Sequence, residues 1–206
     1  MNITYDDFGH EYRVVDGVKS IRIPSITQIM KETGIIKPST YEIPEMYANR
    51  GTEVHAMTEL MDTGLYDHMF CSAESIPFML QYEQFLLDHD IEYLESEKIV
   101  FNESLFIAGR YDRLWKIDGD LHLTDIKTTS AKMRDHVVQV AFYAINVIGY
   151  PRISNLYLHE TDYKPHTWLE SERIEALEVL DAMSRCYWFA HPRDYKALRK
   201  IQEGGK

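Results

Sequence analysis

Residues 108–130 read AGRYDRLWKIDGDLHLTDIKTTS, and the fold and the chemistry are both decided in this stretch. Two β-like runs rich in Ile, Leu, Tyr and Trp flank Asp118-Gly119, a dipeptide suited to a tight turn between antiparallel strands. Asp125 and Lys127 are two apart, so on a strand they point to the same face. Asp112 and Asp125 are almost equidistant from the Asp118-Gly119-Asp120 turn, and pairing the two strands brings them together. Two carboxylates and a lysine then share one patch at a strand end. Such acids repel one another unless a cation joins them. With oxygen ligands and no thiolate, that cation is expected to be Mg2+ or Mn2+. Read alone, the same residues also fit an exposed hairpin carrying weak surface ion pairs.

Outward from this stretch, residues 92–101 form a third β-like run before it, and an apolar helix is predicted from Ala131 to about Ile148, ended by Gly149 and Pro151. ISNLYLHE is a further strand and Glu172 to about Ala190 a long helix, with the basic tail RDYKALRK after it. On the other side, residues 11–23 read as a hairpin turning at Asp16-Gly17, and PSITQIMKETG as a helix capped by Ser25 and stopped by Gly34. The loop IIKPSTYEIP leads to Pro44 and a helix running to about Asp62, and residues 75–89 form another. In the helix ending near Asp62, Val54, Met57, Leu60 and Met61 mark the packing face, while Gly51, His55 and Glu59 recur every four residues beside it. This order predicts an α/β or α+β domain with a central mixed β-sheet flanked by helices. One domain over 1–206 is expected, with a motif-bearing core at about 45–160, an N-terminal hairpin and helix in 1–44 and C-terminal helices in 171–206.

Thirty-three Asp and Glu against 22 Lys and Arg give a formal charge of −11, which excludes a uniformly basic nucleic-acid coat but not a local basic groove. Two cysteines, Cys71 and Cys186, cannot build a zinc ribbon, a four-cysteine iron–sulfur site or a disulfide scaffold. No apolar stretch matches a signal peptide or the roughly 18 residues of a membrane span, so a cytoplasmic protein is expected. A nucleotide-binding Gly-x-x-x-x-Gly-Lys-Ser/Thr loop is also missing, which makes ATP an unexpected ligand and any helicase a separate chain.

Five short motifs follow one another in a fixed order: Gly51-Thr-Glu-Val-His55, Glu97, Gly109-Arg110-Tyr111-Asp112, Asp125-Ile126-Lys127 and Gln139-Val-Ala-Phe-Tyr143. Together they cover about residues 45–148 and resemble the PD-(D/E)XK nuclease superfamily, in its RecB-type exonuclease branch. The resemblance implies a restriction-endonuclease-like core and a metal held by His55, Asp112, Asp125 and the backbone carbonyl of Ile126, with Lys127 orienting the attacking water. It also implies that Gln139 and Tyr143 touch the nucleic-acid backbone or support Lys127. Glu59, one turn beyond His55, and Glu97 are candidates for a second metal or a metal-bound water. Tyr111 stands where the superfamily's proline would be, and two cysteines are too few for the iron–sulfur cluster that staples some relatives. The resemblance favours a small stand-alone exonuclease of the phage or mitochondrial genome-maintenance kind.

The function expected is therefore a Mg2+- or Mn2+-dependent deoxyribonuclease that degrades single strands or DNA ends in replication, recombination or repair. A structure-specific endonuclease and a non-catalytic nucleic-acid-binding module are the alternatives. Arg50 and Lys132, with Lys31, Lys37 and Arg134, are candidates for the backbone track, and Tyr41, Tyr47 and Tyr111 for stacking on bases. Arg110 and Arg113 straddle Asp112 and are expected on the opposite sheet face. A homo-oligomer or a separate recombination partner is compatible with the sequence.

Overall fold

The computed structural model describes residues 1–6, 11–17, 19–37, 45–129 and 132–204. The chain runs β1 (Asn2–Asp6), β2 (Glu11–Asp16), β3 (Lys19–Ile23), α1 (Ile26–Glu32), α2 (Glu45–Asp62), α3 (Ile76–Asp88), β4 (Ile91–Asn102), β5 (Ile107–Ile117) and β6 (Asp120–Lys127). It continues through α4 (Arg134–Ala144), β7 (Arg152–Leu158), β8 (Tyr163–Thr167), α5 (Glu170–Ala190) and α6 (Pro192–Gly204). The fold is α+β. A five-stranded mixed sheet has the order β4-β5-β6-β7-β8, and a three-stranded antiparallel sheet joins β1, β2 and β3. All neighbours in the larger sheet are antiparallel except β6 and β7, which α4 connects as a crossover.

Local chemistry explains most boundaries. The Ser25 side chain accepts the Gln28 N–H at 3.0 Å and starts α1. Asp118 and Gly119 both have positive φ, 52° and 89°, as a two-residue hairpin between β5 and β6 requires. The expected helix over 131–148 is shorter: α4 spans Arg134–Ala144, Ala131 lies outside the described residues, and the Asn146 side chain donates to Phe142 O at 2.7 Å beyond the helix end. Pro44 and Tyr41 also lie outside the described residues. Strands β1 and β8 were not anticipated. Both sit at sheet edges, where β8 tolerates Pro165 and exposes much of its length. The tail reads as a helix, α6, whose buried Leu198 packs into the core.

Two apolar clusters hold the larger sheet. One joins α1, α4, α5 and the small sheet through Ile26, Ile29, Phe106, Phe142, Trp168 and Trp188. The other joins α2 and α3 to the sheet through Val54, Phe78, Tyr82, Phe85, Trp115 and Ile126. Between α2 and β5 runs a buried polar seam. The Arg113 guanidinium, with no side-chain exposure, donates from Nε to Asp62 at 2.5 Å, from Nη2 to Thr58 Oγ1 at 3.0 Å and from Nη1 to Asp112 O at 2.8 Å. Tyr82 OH donates to the other oxygen of Asp62 at 2.7 Å. The expectation that Arg110 and Arg113 share the face opposite Asp112 is corrected: Arg113 turns under α2, whereas Arg110 reaches the cleft that contains Asp112.

Removing one member of a buried ion pair leaves the other charge desolvated, a loss of about 3–5 kcal/mol. Arg113→Ala is expected to lower unfolding stability by that amount in urea titrations. The apolar double variant Arg113→Met/Asp62→Leu should recover much of it, and strictly additive losses would show that the two residues are not coupled.

Candidate metal centre

The polar stripe of α2 places His55, Thr58 and Asp62 at intervals of three and four residues, facing the sheet. With Arg113 anchoring Thr58 and Asp62, His55 comes to rest over β5, its Nδ1 at 3.3 Å from Asp112 Oδ2. Glu97 arrives from β4. His55, Glu97 and Asp112 each offer one donor atom, and these three atoms lie within 4.8 Å of one another; among the described residues they are the one such group. The set borders a cleft of about 630 Å3 shared with Gly51, Glu59 and Arg110.

Glu97 is under constraint. Its φ is +46°, in the left-handed region that costs a non-glycine residue about 1–2 kcal/mol. It follows an irregularity in the β4–β5 register between Tyr93 and Glu95. Arg110 Nε lies 3.0 Å from its Oε2 and Arg113 Nη1 3.5 Å from its Oε1, yet Oε1 is buried without a hydrogen-bond partner among the described residues. Burial and then the neighbouring Asp112 push the Glu97 carboxyl up to about 7, against the pull of Arg110 and His55. An oxygen-rich set with a buried acceptor left unbonded fits a hard divalent cation.

Asp125 stands apart from this trio. Strands β5 and β6 pair as far as Arg113 and Thr124, then separate, and the Asp112 carboxylate accepts the Ile126 N–H at 2.7 Å across the gap. Because both backbone groups of one strand residue face the same neighbour, the Ile126 carbonyl opens on this gap as well. The Asp125 carboxylate meets Lys127 Nζ at 2.7 Å and accepts from Asn155 Nδ2 at 2.9 Å. Burial pushes the Asp125 carboxyl up to about 6, although Lys127 pulls it down. Lys127 is held cationic: burial disfavours its charge, and Asp125 and Asp112 more than offset that.

On the other side of Lys127, Nζ donates to Gln139 Oε1 at 3.0 Å, and Gln139 Nε2 donates to Tyr143 OH at 3.0 Å. Of the two expectations for this pair, support of Lys127 is the one the geometry favours. Tyr143 is buried, which corrects the expectation of direct nucleic-acid contact there. The position also explains Gly109: a Cβ there would lie 2.6 Å from Tyr143 Cε1 and 3.2 Å from Phe142 Cε1, so α4 can approach β5 only over a glycine. Tyr111 is likewise core and unavailable to a base; its hydroxyl donates to Glu95. Glu59 lines the cleft, 3.5 Å from Ser96 Oγ. Lys132 lies outside it, 4.1 Å from the centroid of Trp168 and 3.5 Å from Glu172. Arg50 lies beside Tyr47 and Phe78.

Three positioning residues were not anticipated. Arg113 holds α2, Asn155 bonds both the backbone and the carboxylate of Asp125, and Trp168 Nε1 donates to Asn155 Oδ1 at 2.8 Å. An asparagine at the centre of the apolar run ISNLYL was the available signal for the second. No protein-family model matches the chain, and no curated protein matches it in sequence.

The raised Glu97 carboxyl fixes the sign of a pH effect. From about 4.5, its ordinary value, to about 7, the folded state retains a proton that the unfolded state has lost, so this group's contribution to stability falls as pH rises through that window. Mn2+ at pH 8 should therefore raise the melting temperature of the wild type, and Glu97→Gln should both raise the metal-free value and shrink the Mn2+ increment. An equal increment in the two proteins would remove Glu97 from the site.

Proposed function

We propose that the protein is a metal-dependent deoxyribonuclease that hydrolyses phosphodiester bonds from DNA ends or in single strands. The observation that carries this reading is the fixed ammonium of Lys127, tied to Asp125 and Gln139 beside the carboxylate and imidazole donors of His55, Glu97 and Asp112.

Asp112, His55, Glu97 and the Ile126 carbonyl are the groups proposed to hold Mg2+ or Mn2+, with Asp125 joining them from β6. When bound, such a cation supplies positive charge to a phosphate oxygen and makes a water more acidic. The chain's own residues perform the rest. Lys127 donates a hydrogen bond that orients the attacking water and balances the charge that builds on the phosphoryl oxygens in line with attack. Asp125 and Gln139 restrict its Nζ to one position, so the ordering is complete before substrate arrives. Asn155 and Trp168 fix Asp125 in turn. Arg110, paired with Glu97 at the cleft, adds a cation where a strand would pass.

Preference for ends over interior sites rests on the resemblance of the five motifs. A linear end-labelled DNA and a covalently closed circle separate the two activities, since a strict exonuclease cannot begin on the circle. With Mg2+ or Mn2+ the wild type should release nucleotides from the linear strand and leave the circle intact. Lys127→Ala and Asp125→Ala should each lower kcat by about 10²–10⁴-fold, the range for loss of a positioned proton-transfer or charge-stabilising group. Full activity in both variants, or DNA binding with no metal-dependent hydrolysis, would refute the assignment; cutting of the circle would make it an endonuclease.

A further inference from the structure

A second cleft, of about 940 Å3, lies where α2 and α3 meet the residues that follow β6 and the connection between β7 and β8. It is linked to the candidate metal centre along the chain: Arg50 lines this cleft and the next residue, Gly51, the other, and Thr128, the residue after Lys127, also borders this one. Among its walls are Tyr47, Arg50, Phe78, His159 and Lys164. The Arg50 guanidinium lies over two rings, with Cζ 4.3 Å from the Phe78 centroid and 5.0 Å from that of Tyr47. Its hydrogen bonding is incomplete. Among the described residues Nη2 reaches only Thr128 O, at 3.5 Å, and Nε is buried with no partner.

His159 repeats the pattern. Its Nδ1 is 2.6 Å from Asp162 Oδ1, while Nε2 is buried without a partner among the described residues. Glu160 and Asp162 also border the cleft, but Asp162 is matched by His159 and by Lys164, whose Nζ is 3.1 Å from its other oxygen. The Arg50 Nε–H, buried without a partner among the described residues, is a cost that a bound acceptor would remove. A planar guanidinium whose N–H groups are not all paired among the described residues matches the oxygens of a phosphate.

We infer that this cleft is a phosphate subsite for the polynucleotide strand, in which Arg50 receives a phosphate other than the one hydrolysed and Tyr47, about half exposed, borders the attached nucleoside. The inference rests on the nuclease reading and specifies how the substrate is gripped. The phosphate is either an internal diester or the terminal monoester of the strand, the chemistry being the same for both.

The test is a binding measurement in EDTA with short single-stranded DNAs that differ in one group: all phosphodiester, one neutral methylphosphonate at each successive linkage, and terminal phosphate or hydroxyl. The wild type should lose about tenfold or more in affinity at one neutral linkage or on loss of the terminal phosphate, corresponding to one charge-assisted hydrogen bond. Arg50→Ala should bind the unmodified strand that much more weakly and lose nothing further at the same position; Arg50→Lys, which keeps the charge without the planar fork, should fall between. Dependence on an internal linkage assigns the pocket to a diester, and dependence on the end group to a monoester. Equal losses in wild type and Arg50→Ala would overturn the inference while leaving the nuclease reading intact. Failure of the wild type to bind or cleave any strand, with or without Mn2+, would instead refute the nuclease reading itself.

Discussion

The Arg113 guanidinium is the constraint on which the site depends. It is fully buried, and its donors are divided between Asp62 and Thr58 on α2 and the backbone of Asp112 on β5. A buried cation cannot slide without leaving a charge unpaired, so α2 is registered against β5 to within a hydrogen bond. His55, two turns before Asp62, is thereby set over the Asp112 carboxylate. An apolar contact between the same two elements would tolerate slippage that this ion pair does not. The strained backbone at Glu97 is sustained within the same assembly, because Arg110 and Arg113 both reach its carboxylate.

The site is assembled from both faces of the sheet and meets where β5 and β6 part. From the α2 side come His55 and the anchoring seam. From the α4 side come Gln139 and Tyr143, which reach Lys127 only because Gly109 leaves room for the tyrosine ring. The separation of the strands after Arg113 and Thr124 frees the backbone of Ile126 to bond the Asp112 side chain instead of a neighbouring strand. Ladder bonds that would close the sheet are given up at the one place where the proposed chemistry needs an opening.

Much of this could be read from the residues. Runs rich in Ile, Val, Leu, Phe and Tyr marked β4 to β6 and β7, Ser25 and Gly34 bounded α1, and the equal distance of Asp112 and Asp125 from the Asp118-Gly119 turn placed the two acids at the same level of the sheet. The edge strands were not legible, because β1 lies in an acidic stretch and β8 carries a proline. Arg110 was misplaced, since two residues before Asp112 strand alternation puts it on the same face and it lines the same cleft; for Arg113, alternation gives a face but not that a helix stripe three elements earlier holds its counter-charge. Asn155 and Trp168 are 30 and 43 residues beyond Asp125, and only the parallel pairing of β6 with β7 brings the first of them beside it. Glu97 was visible as a residue, while its positive φ and unbonded oxygen belong to the folded chain alone.

The charge balance also takes a local meaning. A net −11 does not favour a polyanionic partner, yet the Glu97 and Asp125 carboxyls are pushed upward by burial and by the neighbouring Asp112, the condition a divalent cation relieves. The most direct measurement is an anomalous diffraction map from crystals grown with Mn2+. The account predicts a peak in the β5–β6 gap, about 2 Å from donor atoms of His55 and Asp112. A map with no peak there, from crystals whose manganese binds other acids, would contradict it.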